Sequence, residues 1–178
     1  ITPKDLGVSY RDETLTTADG LKLASWYIPA ATTTKKAVLL LHGYPADKGD
    51  ILESMLFLRE QYNLLFVDFR YFGQSEGSYS TIGIKETADV LAAVQYLKSI
   101  GMEKIGVWGF SMGGATALMA LAQTDQIDAV VSDTSYASLG LMAEEVYRQV
   151  PGLNKAIAWL MIEAAKLFLK TDVVLDSP

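Results

Sequence analysis

Residues 104–114, with the sequence KIGVWGFSMGG, combine a strand, a turn and the start of a helix in one segment. An apolar run typical of a buried strand comes first, and a run of small residues typical of a buried helix follows. Between them, the pattern G-x-S-x-G places Gly109, Ser111 and Gly113 on a tight turn. We expect Ser111 to adopt a strained backbone conformation, which requires neighbours without side chains. Its hydroxyl would then project at the N-terminus of the helix, where negative charge is favoured. The plainer interpretation is a glycine-rich turn with a structural serine.

On both sides of this segment, apolar strand patterns alternate with helical ones. Buried-strand runs occupy residues 37–41, 64–67, 104–108 and 129–132, and helical spacing occupies 50–61, 84–100 and 113–123. Upstream, residues 14–17 and 21–28 flank Asp19-Gly20 and predict an antiparallel hairpin. This order predicts an α/β fold with a mostly parallel sheet, helices on both faces and an N-terminal hairpin.

Polar residues follow the predicted parallel strands. His42, Asp68 and Asp133 each come at or just after the end of a strand, and Ser111 comes after another. Open parallel sheets bind ligands beyond the carboxyl ends of their strands. We therefore expect the functional site at this edge.

The motif His42-Gly43-Tyr44 follows the first buried strand. Gly43 allows the backbone to turn so that the Tyr44 N–H faces the serine. Together with the Met112 N–H, it would form a two-donor oxyanion hole. The alternative is an ordinary turn at a strand end.

The segment DFRYFGQSEG, residues 68–77, follows the next strand. We expect Asp68 and Arg70 to brace this loop through a charge-assisted hydrogen bond. That role supports the site without taking part in chemistry.

Composition excludes several classes of function. Fifteen basic and 21 acidic side chains give a net charge of −6, which disfavours binding to nucleic acid. The chain has no cysteine and one histidine, so thiol catalysis and metal sites built from cysteine or several histidines are excluded. No organic cofactor or metal is expected. No run of 18 apolar residues is present, so no membrane span is predicted.

The three motifs HGY, DFRYFGQSEG and GFSMGG, in this order, resemble the α/β-hydrolase superfamily of serine hydrolases. The resemblance covers about residues 14–138. It is strongest to the esterase, thioesterase and peptidase-like branch, which includes membrane-anchored lipid or acyl-protein hydrolases. It implies Ser111 as the nucleophile and the amides of Tyr44 and Met112 as oxyanion donors. It implies that His42, Gly43, Gly109, Gly113, Asp68 and Arg70 support the site.

The triad of this superfamily follows the order serine, acid, histidine, yet no histidine follows Ser111. We therefore expect the chain to be C-terminally incomplete, with the last strands and the rest of the triad beyond residue 178. His42 precedes Ser111, as in chymotrypsin-like proteases, but we expect its ring nitrogens to lie out of reach of the Ser111 hydroxyl. Asp133 is a candidate acid, although capping of the turn at Thr134-Ser135 is the preferred interpretation.

The sequence predicts that residues 139–178 form a helical and unusually apolar segment of one domain spanning residues 1–178. Within 153–170, the charged residues Lys155, Glu163, Lys166 and Lys170 fall on one helical stripe. The segment is interpreted as a helix packed on the sheet; alternatives are a lid over an apolar site, or a surface that meets lipid or a missing partner segment. The sequence does not distinguish a cytoplasmic from a membrane-associated location, and it leaves the oligomeric state open.

Two functional hypotheses remain. The first is a serine hydrolase that cleaves a small-molecule carboxylic ester or thioester by acyl transfer through Ser111, with peptidase and acyltransferase activity as variants. The second is a non-catalytic fragment or interaction module on a hydrolase scaffold, which the absence of a downstream histidine favours.

Overall fold

A six-stranded sheet in the order β1-β2-β4-β3-β5-β6 forms the centre of the protein. The structure, a computed structural model, describes residues 1–146, 159–160, 163–164 and 167. The strands are β1 (Arg11–Thr16), β2 (Lys22–Ile28), β3 (Lys36–Leu41), β4 (Asn63–Val67), β5 (Lys104–Phe110) and β6 (Ala129–Asp133). All the strands expected from the sequence are present, with bounds shifted by a few residues.

The sheet is antiparallel at its start and parallel beyond. β1 and β2 form the expected hairpin, and β2 also runs antiparallel to β4. β4, β3, β5 and β6 are mutually parallel. The sequence-based prediction of a mostly parallel sheet led by an antiparallel hairpin is confirmed. Because β3 lies between β4 and β5, the chain reverses its direction of winding there, which is where open α/β sheets bind ligands.

Helices connect the strands and cover both faces. They are α1 (Leu52–Met55), which a 3-10 helix (Leu56–Glu60) extends, α2 (Thr87–Ser99), α3 (Met112–Leu121) and α4 (Leu139–Val146). The helix expected over residues 50–61 is therefore a short α-helical turn followed by 3-10 geometry.

The second helix starts three residues later than expected, at Thr87. The reason is Glu86, whose fully buried carboxylate accepts hydrogen bonds from the backbone N–H groups of Thr81 and Gly83 and from two hydroxyl groups. A buried carboxylate needs such donors, and supplying them holds residues 81–86 in turns.

Two apolar layers enclose the sheet. On one face, α2 and α3 pack against strand residues such as Leu39, Leu65 and Val107. On the other face, Leu52 and Met55 of α1 pack against a separate set that includes Phe66. This arrangement confirms helices on both faces.

Part of the second face is open to solvent. A shallow apolar cleft of about 320 Å³ lies over β3, β5 and β6, lined by Val38, Trp108 and Val131 among others. Val131 is 44% exposed, and the buried Trp108 Nε1 has no hydrogen-bond partner among the described residues.

Helix α4 (Leu139–Val146) lies at the start of the segment predicted to be helical over residues 139–178, most of which lies outside the described residues. Trp159, Leu160 and Leu167 are also helical, and each is more than half exposed. Most of the charged stripe predicted for 153–170 lies outside the described residues. None of the helices in the described part of the chain has the length and apolar content that crossing a bilayer requires.

Candidate active site

Ser111 lies on a sharp turn between β5 and α3. Its backbone has φ +48° and ψ −111°, a conformation that side-chain-bearing residues rarely adopt. The turn is tight because Gly109 and Gly113 leave it room: a Cβ on Gly109 would lie 2.2 Å from the Gly113 carbonyl oxygen. A Cβ on Gly113 would lie 2.7 Å from the carbonyl oxygens of Leu41 and His42. The strained turn expected from G-x-S-x-G is therefore present.

The loop after β3 lies directly against this turn. A Cβ on Gly43 would be 3.3 Å from both the Ser111 Cβ and the Phe110 carbonyl oxygen, so glycine permits the close approach. Leu41 and Gly109 are paired in neighbouring parallel strands, which explains why the two loops meet. The structure therefore brings the sequence-predicted motifs HGY and GFSMGG together.

The two backbone N–H groups that the sequence assigns to an oxyanion hole have no acceptor within the described part of the chain. The Met112 N–H is the first of helix α3, and the first turn of a helix leaves its N–H groups without helical partners. The Tyr44 N–H likewise has no acceptor among the described residues. The N-terminal end of α3 adds a positive helix dipole at the same place. A helix N-terminus favours negative charge nearby, and Ser111 is the N-cap of α3.

His42 is fully buried, and both of its ring nitrogens are occupied. The Phe69 N–H donates to Nε2 at 3.1 Å, so the ring proton resides on Nδ1. Nδ1 then donates to the Gly43 carbonyl at 2.8 Å. Burial lowers the pKa of His42 below its ordinary value, against the opposing effects of the Gly43 carbonyl and Asp68. The ring is thus a neutral link between the two loops, and neither nitrogen is left for the Ser111 hydroxyl.

The expected hydrogen bond between Asp68 and Arg70 is not formed, and that prediction was wrong. The Asp68 carboxylate instead accepts two hydrogen bonds from Lys48. The Lys48 backbone N–H donates at 2.8 Å, and the Lys48 ammonium group donates at 2.5 Å. Arg70 binds Asp89 on α2 and Asp19 in the hairpin turn. Both residues lie beyond the end of β4 at Val67, where strand geometry no longer places side chains two residues apart on one side, and each pairs with another element.

Asp133 contributes through its backbone. The Ser111 N–H donates to the Asp133 carbonyl at 2.8 Å, which ties the serine turn to the end of β6. The expected cap of the following turn by the Asp133 carboxylate is not formed among the described contacts. The hydroxyl groups of Ser132 and Ser135, 2.7 Å apart, bridge that turn. The carboxylate therefore stays a candidate acid beside the site.

Aromatic rings surround the loop that carries Tyr44. Phe72 makes edge contacts with His42, Tyr44 and Tyr71, with ring centroids 5.3 to 5.6 Å apart. Tyr44 and Tyr71 are each about half exposed, and Tyr71 has φ +74°. The rings of Tyr44, Tyr71 and Phe72 form an aromatic rim beside the HGY loop.

Lys48 and Asp89 were not identified from the sequence. A lysine in a loop and an aspartate in the first turn of a helix are typical of solvent-exposed positions, so residue type gave no signal. Only their burial, at 3% and 1% exposure, marks them. No group of three or more potential metal ligands occurs among the residues that the structure describes.

Comparison with known proteins gives the family. The sequence profile of the alpha/beta hydrolase fold matches residues 36–158, more than half of the chain. The chain belongs to the α/β-hydrolase superfamily, as its motifs indicated.

Several relatives are hydrolases. The Pyrococcus furiosus esterase Pf2001 is 35% identical and superposes with a TM-score of 0.73, covering 88% of this chain and 63% of that protein. The lysophosphatidylserine lipase ABHD12 of Danio rerio is 27% identical over 156 residues, which are 80% of this chain and 39% of the relative. The uncharacterised protein YfhR of Escherichia coli O157:H7 is 28% identical over 145 residues, 77% of this chain and 50% of the relative. The chain spans about half the length of the first curated relatives it matches.

Proposed function

We propose that this protein is a serine hydrolase that cleaves a carboxylic ester or thioester through an acyl-enzyme on Ser111. The observation that carries the proposal is the strained Ser111 turn at the N-terminus of α3, with the glycine of the HGY loop packed against it. A nucleophile there would have two backbone donors beside it.

The proposed reaction has two halves. The Ser111 oxygen attacks the substrate carbonyl while a general base takes its proton, and the N–H groups of Tyr44 and Met112 stabilise the resulting oxyanion. The intermediate collapses to the acyl-enzyme, and the alcohol or thiol leaves with the proton. Water then attacks the acyl-enzyme by the same route and releases the acid and Ser111.

The general base is not His42 in this proposal. Both nitrogens of that ring are engaged, and it is the only histidine in the chain. The base is therefore either a residue of another type or a residue outside this sequence. The same observation favours the rival function, a non-catalytic module on a hydrolase scaffold, because serine without a base is a weak nucleophile.

An apolar or aromatic acyl ester is the favoured substrate. The aromatic rim beside Tyr44 supports this, as does the similarity to an esterase and to a lysophosphatidylserine lipase. Peptidase and acyltransferase chemistry would use the same serine, so the substrate pocket decides between them.

The test is a panel of short and long acyl esters, thioesters and peptide amides, assayed with the longest natural form of the protein. We expect ester or thioester hydrolysis that Ser111→Ala lowers by at least about 10³-fold. Ser99→Ala, at the exposed end of α2, is the matched control and retains full activity. Equal activity in the Ser111 variant would refute the proposed mechanism, and faster cleavage of amides would identify a peptidase.

A further inference from the structure

A buried ion pair next to the HGY loop involves a lysine with no role in the mechanism so far. Lys48 and Asp68 are 3% and 0% exposed, and their side chains are 2.5 Å apart. The Lys48 ammonium also lies 4.5 Å from the centre of the Trp26 ring on β2. A lysine is rarely buried unless it is paired, and Lys48 has both an anionic and an aromatic partner.

Asp68 is a rigid attachment point. Its backbone N–H donates to Ala24 on β2, and its carboxylate accepts the Gln74 N–H at 2.9 Å. Gly73 packs so closely that a Cβ there would lie 2.1 Å from the carboxylate. A side chain enclosed in this way cannot shift without disturbing the sheet.

Among the described residues, few hydrogen bonds hold the Tyr44 end of the loop between β3 and α1. His42 holds the Gly43 carbonyl at one end, and Lys48 holds the other end to Asp68 through both its backbone and its side chain. Between these anchors, residues 44–46 make no hydrogen bond among the described residues. The Tyr44 N–H shares a planar peptide unit with the Gly43 carbonyl, so the His42 contact sets its direction. The Lys48 end sets where the rest of the loop lies, and thereby whether this peptide unit stays in place.

We infer that Lys48 is a positioning residue, which anchors the far end of the HGY loop to Asp68 and so holds the Gly43–Tyr44 peptide, with its N–H, in place beside Ser111. The inference rests on the proposed function for its effect on catalysis, but the anchoring itself does not depend on it. A donor that shifts by about 1 Å loses much of its value in the transition state, while substrate binding elsewhere is unaffected.

The variants separate positioning from stability. Lys48→Met removes the ammonium group, and the double variant Lys48→Met with Asp68→Asn also removes the buried charge left behind. Lys48→Arg keeps a cation. Asn63→Ala is the matched control. Asn63 is buried and makes several hydrogen bonds, and it is the first residue of β4, the strand that Asp68 follows.

Three quantities are measured for each variant: kcat and KM for the best ester, amide hydrogen exchange of residues 43–48, and the unfolding midpoint. We expect Lys48→Met and the double variant to lower kcat by about 10- to 100-fold with little change in KM, and to exchange faster in this loop. Lys48→Arg restores part of kcat. Asn63→Ala lowers the unfolding midpoint but leaves kcat and loop exchange as in the unmodified protein.

The inference is overturned if the double variant retains kcat and loop protection, or if Asn63→Ala lowers kcat as much. Failure of the proposed function has a different signature: Ser111→Ala is then as active as the unmodified protein. In that case, loop exchange alone decides whether Lys48 anchors the loop.

Discussion

The side chain of His42 illustrates how a residue suggestive of catalysis serves as a structural link. Its Nε2 accepts the Phe69 N–H, and its Nδ1 lies against the Gly43 carbonyl. One ring thus joins the ends of β3 and β4, the strands that precede the HGY and DFR motifs. A protonated ring would lose the acceptor at Nε2, so the fold requires the neutral form.

This role predicts a pH dependence. Burial lowers the pKa of His42 in the folded protein, whereas the unfolded chain binds the proton at about pH 6.5. The unfolded state therefore binds more protons below that pH, and the free energy of unfolding decreases as the pH falls through about 6.5. Because the chain has one histidine, ¹⁵N NMR of its ring reports this group without assignment problems.

We expect the folded ring to carry its proton on Nδ1 and to titrate below pH 6.5. A random-coil peptide that contains His42 provides the reference titration. A ring that titrates at or above the peptide value, or one protonated on Nε2, would contradict the structure.

At the scale of elements, β5, the serine turn and α3 form one unit. Its geometry requires glycine at positions where a Cβ would clash, Gly109 and Gly113. Gly109 and Gly106 lie in the same strand, yet their surroundings differ. A Cβ on Gly109 would clash with Gly113, whereas a Cβ on Gly106 would have its nearest neighbour 3.9 Å away, in ordinary contact. The two glycines thus offer a matched pair.

We expect Gly109→Ala to destabilise the protein by about 3 kcal/mol, because the turn must open to accept the methyl group. Gly106→Ala should be neutral or stabilise by a few tenths of a kcal/mol, since alanine loses less entropy in a strand. Urea unfolding of both variants measures the difference. Equal midpoints would show that the turn is not as tight as the structure indicates.

The positions of the strands along the chain and the site motifs could be predicted from the sequence because each has a local signal. Apolar runs mark the parallel strands, and G-x-S-x-G marks the turn that holds Ser111. The partners of Asp68 and Arg70 could not be predicted, since Lys48, Asp89 and Asp19 are distant in sequence and meet only in the folded sheet. The late start of α2 depends in the same way on the burial of Glu86, which no periodicity reveals.

At the scale of the whole molecule, the parallel strands β3, β4, β5 and β6 end at one edge of the sheet. Membership of the α/β-hydrolase superfamily makes this edge the candidate site. The Ser111 turn, the HGY loop and the linking histidine are all within residues 42–133. The base of the proposed reaction is not a histidine of this chain, and the chain spans about half the length of the first curated relatives it matches. The proposed activity therefore depends on how Ser111 is activated.

Exposure to a fluorophosphonate probe, followed by intact mass measurement and mapping of the modified residue, shows directly whether Ser111 is an activated nucleophile. The probe forms a covalent bond with an activated serine. We predict a single adduct on Ser111 in the longest natural form of the protein, and no adduct in Ser111→Ala. An intact mass of 19.4 kDa with Ser111 unmodified would contradict the account and would identify a hydrolase fold without working chemistry.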